Sequence, residues 1–77
     1  MPLLSIHEQR LNNLTNIYSD ELLDHMISYA DERHPLFELA LARFFWLMLL
    51  EDNNDIDARN GMIANLEIAE RRLNNAQ

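Results

Sequence analysis

Apolar residues recur three and four places apart along most of this chain, and the places where the recurrence lapses divide it into four segments. In the first, Leu4, His7, Leu11, Leu14 and Tyr18 follow the helical period. Ser5-Ile6-His7-Glu8 has the S-x-x-E spacing in which Ser and Glu side chains satisfy each other's free amides at a helix start. A helix from about Ile6 to about Ile17 is expected, weakened in its second half by Asn12, Asn13 and Asn16. In the second segment Ser19 is placed to cap, Asp20 and Glu21 favour the positive end of a helix, and Tyr18 and Leu23 are spaced as a hydrophobic staple. Leu22, Leu23, Met26, Ile27 and Ala30 make its apolar face. The helix is expected to end near Arg33, because the residue before Pro35 avoids helical geometry, and Pro35 suits the first position of the next helix.

That third helix, with Leu36 to Leu50 as its apolar run, organises the chain. Only Glu38 and Arg43 interrupt the run, and none of its four helical rows is a polar face. A helix apolar on all sides belongs in a core or a membrane. Fifteen residues span roughly 22 Å against a hydrocarbon core of about 30 Å, so the membrane reading fails on length. Burial in protein remains, and 77 residues supply few other helices to surround one completely. The expectation is a small all-α bundle of four helices, one domain over residues 1–77, completed by self-association. Phe37, Leu41, Phe44, Phe45, Trp46, Met48 and Leu49 are the expected oligomer interface, with Phe45 and Trp46 as its anchors.

After Leu50 the polar stretch Glu51-Asp52-Asn53-Asn54-Asp55 breaks the pattern. Asp52 or Asn54 is expected to cap a last helix running to about Asn74, with residues 74–77 fraying. Its stripe is Ala58, Met62, Leu66, Ala69 and Leu73, widened by Ile56 and Ile63. Arg59 and Glu70 fall inside the widened face and need partners, and Gly61 should cost this helix roughly 1 kcal/mol. Ile68 and Ala64 lie opposite.

Charge narrows the choice of partner. Thirteen Asp and Glu oppose six Arg, with no Lys, for a formal charge of −7. Direct nucleic-acid binding, which wants a basic stripe, is not expected. Six of the acids, Glu8, Asp20, Glu21, Glu38, Asp55 and Asp57, fall in or near first helical turns, where they stabilise the helix. Asp31, Glu32 and Glu51 instead oppose their helix dipoles, and together with Ile68 they are the candidate contacts for a protein partner.

Chemistry is sparse. The absence of Cys excludes disulfides and thiolate ligands. Glu21 and His25 stand one turn apart as two metal ligands would, but a single pair at that spacing is weak, and His34 suits the turn before Pro35. Read as a calcium loop, residues 52–63 put Ile63 where the bidentate Glu belongs. No nucleophile, phosphate loop or paired-carboxylate site emerges, so neither an enzyme nor a cofactor or metal is expected. The opening residues lack a signal-peptide pattern, and a cytoplasmic location is the default expectation. The function expected is a non-catalytic regulator or inhibitor, a homodimer or higher oligomer that engages another protein through acidic or apolar helical surfaces, as an antirepressor or a defence inhibitor would. The alternative is a structural or scaffolding subunit, and the second a small-ligand or metal binder in a helical core.

Overall fold

The four periodic segments wind into four helices, α1 (Pro2–Thr15), α2 (Asp20–Tyr29), α3 (Phe37–Glu51) and α4 (Ile56–Asn75), in a computed structural model that describes residues 2–75 and the surroundings of side chains 6–74. The described residues contain no strand, and the fold is all-α. No described helix is long and apolar enough to cross a membrane.

The helix ends are decided by local hydrogen bonds. Ser19 caps α2 as its position implies, its hydroxyl accepting from the Leu22 amide at 3.1 Å. α3 ends at Glu51 and α4 at Asn75, each within a residue of expectation, while other boundaries differ. α1 begins at Pro2, whose ring suits a first turn, so Ser5 lies within the helix and not at its cap. At its other end α1 stops at Thr15, and Tyr18 packs on the core from the turn beyond it. α2 stops at Tyr29, four residues short of Arg33, because Ala30 turns left-handed (φ 51°) while its amide still donates to the Met26 carbonyl. The turn that follows is held by side-chain acceptors: Asp31 takes the Arg33 amide and His34 Nδ1 takes the Leu36 amide. Pro35 lies in this turn, and α3 begins at Phe37. Asp55, not Asp52 or Asn54, caps α4, accepting from the Ala58 amide at 3.0 Å, while Asp52 is occupied with the amide of Asn54. α4 stays helical through Asn75; the rest of the segment expected to fray lies outside the described residues.

α3 and α4 form an antiparallel hairpin. Glu38 near the start of α3 pairs with Arg72 near the end of α4, and the Phe45 ring lies over Gly61 halfway along. α1 runs beside α4 in the same direction, since Arg10 pairs with Glu70 while Leu14 lies near Arg71 and Asn74. α2 approaches only α3, which alone touches all three other helices. The core is a layer around α3: Leu39, Ala40, Ala42 and Leu49 from α3 meet Ala58, Met62, Leu66 and Ala69 from α4, Leu11 from α1, and Leu23 and Met26 from α2. Every residue of the expected α4 stripe is buried or half-buried, but Ile56 is 68% exposed and does not widen it. Leu22 and Ala30 are likewise exposed, leaving α2 a narrower buried face than its pattern implied.

Candidate functional site

Three charged groups inside the apolar segments, Arg43, Glu38 and Glu70, are paired within the chain, which directs attention away from them. Arg43, the one cation of α3, reaches back to the start of α2, with Nη1 2.7 Å from Asp24 and Nε 3.4 Å from Asp20. Glu38 takes Arg72, which also donates to the carbonyls of Glu32 and Arg33 and so ties the end of α4 to the α2–α3 turn. Glu70 finds its partner in Arg10, whose guanidinium also lies 3.0 Å from His7 Nδ1. Partial burial, then the nearby guanidinium of Arg10 and that of Arg59, hold the His7 pKa below its usual 6.5. The hydrogen bond to Glu70 raises that of Arg10. Arg59 itself is exposed and makes no ion pair among the described residues.

What α3 leaves uncovered is a consequence of the Arg43 pairs. They set the first turn of α2 level with Arg43, while α3 continues two turns further, to Glu51. Ten residues of helix cover about 15 Å against roughly 22 Å for the fifteen of α3, so α2 cannot flank its C-terminal half. Phe44, Leu47, Met48 and Leu50 consequently stay 46%, 37%, 37% and 60% exposed. The radius of gyration, 11.8 Å, is close to the ~11.5 Å of a tightly folded chain of this length, so the exposure reflects a shortage of neighbours and not loose packing.

Of the residues expected at an interface, Phe44 and Met48 lie on this face. Phe37 and Leu41 are half-buried in the N-terminal half of α3. Phe45 and Trp46, expected as anchors, are half-buried and packed on the chain's own core, and Leu49 is 2% exposed within that core. These three are already used in the fold, and Leu47 and Leu50 stand exposed instead. The candidate partner contacts do not converge. Asp31 and Glu32 lie in the turn before α3 and Glu51 at its far end, roughly 22 Å of helix away. Asp31 lies past the end of α2 and accepts the Arg33 amide in that turn, where it was expected to oppose the dipole of the helix, and Ile68 is half-buried. His25 stacks edge-on against Tyr29 with ring centroids 4.3 Å apart, and no three His, Asp or Glu among the described residues are grouped to hold a metal. Two shallow depressions, one beside Leu14 and Glu67 and one lined by Asn12, Asn13, Asn16 and Asp20, are open to solvent and gather no reactive pair.

No protein-family model, curated protein or solved structure matches the chain.

Proposed function

We propose that this chain is a non-catalytic, self-associating helical protein that acts by binding protein, first a second copy of itself and then a partner it regulates or inhibits. The observation that carries this reading is the uncovered C-terminal half of α3, where Phe44, Leu47, Met48 and Leu50 stand next to one another on a helix with no polar face of its own. Contiguous apolar surface of this kind marks interaction sites. At roughly 1 kcal/mol for each half-exposed side chain, about half the value of full burial, one copy forgoes about 4 kcal/mol, and a symmetric pairing recovers twice that. Set against an association cost of about 4–15 kcal/mol, this supports a weak, reversible assembly, suited to a regulator that exchanges partners and less to a permanent scaffold.

Light scattering across a dilution series from about 1 µM to about 1 mM tests the reading. The expected result is a mass at the upper end of at least twice the chain's 9.1 kDa. A single-chain mass throughout overturns it.

A further inference from the structure

We propose that the occupant of the α3 face is the same face of a second copy, packed antiparallel about a two-fold axis at Leu47; this rests on the self-association reading above and specifies its geometry. The argument is one of register. In an antiparallel helix pair centred on Leu47, residues equally far before and after it come level with each other. Phe44 then lies level with Leu50 of the second copy, and Arg43 with its Glu51. The uncovered stretch is thus self-complementary: exposed apolar residues meet exposed apolar residues, and opposite charges face each other at both ends. A parallel pairing would set Arg43 against Arg43 and Glu51 against Glu51. Leu47 and Glu51 continue the i, i+4 row of Arg43 and stand exposed, while the guanidinium of Arg43 is turned to Asp20 and Asp24 at the edge of the open face. Arg43 has donors to spare, since its guanidinium carries five N–H groups and uses only two atoms, on Asp24 and Asp20. The free length matches as well. The first turn of α2 lies level with Arg43, which leaves the two turns up to Glu51 for a second helix, and those are the turns that the second copy presents.

Because the chain has no Cys, single cysteines report this geometry directly in the full protein. With a short bismaleimide, Leu47→Cys cross-links to itself efficiently, a mixture of Phe44→Cys and Leu50→Cys chains cross-links between them, and either alone does so at least several-fold less. Leu47→Glu sets two carboxylates on the axis and abolishes the dimer. Glu51→Arg faces the cation of the second copy and weakens association roughly tenfold, most at low salt, while the helix end tolerates the basic residue. Circular dichroism of each variant separates loss of pairing from loss of fold. Should Leu47→Glu prove unfolded, Glu51→Arg and the cysteine pairs still decide. Cross-linking of Phe44→Cys to itself as strong as that of Leu47→Cys, or an assembly indifferent to both Leu47→Glu and Glu51→Arg, overturns this geometry and leaves self-association standing. A chain monomeric at every concentration overturns both.

Discussion

Gly61 shows how one residue turns a helix into a receptor for its neighbour. A β-carbon at this position would lie 2.8 Å from the Phe45 ring, closer than real carbons approach, so the absent side chain makes room for the aromatic of α3. Gly61→Ala gains roughly 1 kcal/mol of helix propensity but forces a ring that is packed on the core and edge-to-face with Phe44. The expected net effect is a destabilisation of about 1–2 kcal/mol, read from denaturant unfolding; a more stable variant would show the ring free to move. His7 carries the second prediction at this scale. Its folded-state pKa lies below 6.5, so the folded chain holds this proton less tightly than the unfolded one. The stability it contributes is therefore fully present above about pH 6.5 and declines as pH falls from there through the lower folded value. His7→Gln should flatten the fall in melting temperature over that window, and a parallel pH profile for parent and variant would show that His7 is not its source.

Among the elements, α2 decides the most by where it begins. Ser19 starts it level with Arg43, so it shields only the first half of α3, and the left-handed Ala30 stops it at Tyr29. A left-handed alanine is strained by its β-carbon where glycine is not. Ala30→Gly should therefore stabilise the chain by about 0.5–1 kcal/mol, raising the melting temperature by several degrees in a domain of this size. An unchanged or lower melting temperature would show that the turn through Asp31 and His34, not Ala30, ends the helix. α1 is held differently, by the buried Leu11 with Leu14 beside it and by the pair between Arg10 and Glu70.

For the whole molecule, a weak symmetric assembly couples folding to concentration, because a pairing open only to the folded chain stabilises that chain by mass action. The melting temperature should rise with protein concentration in the parent and stay constant in Leu47→Glu, measured by calorimetry over a hundredfold range. A parent melting temperature independent of concentration would remove the coupling. Total stability is expected within about 4–12 kcal/mol for 77 residues, so even a modest contribution from pairing is a sizeable share.

Local order was legible in the sequence. The period of apolar residues marks four helices, Ser19 declares its cap, the stripe Ala58, Met62, Leu66 and Ala69 is the buried face of α4, and the 36–50 run identifies α3 as the element the others surround. These features depend on residues within four places of each other, where the helical period and capping chemistry act. Only the tertiary structure decided which side of α3 stays open. The Gly61 gap draws Phe45 inward, the core takes Trp46 and Leu49, the Arg43 pairs with Asp20 and Asp24 fix where the shelter of α2 ends, and Phe44, Leu47, Met48 and Leu50 are what remains. A helix apolar on every side carries no moment to orient it, so its facing is set by neighbours that lie far away along the chain.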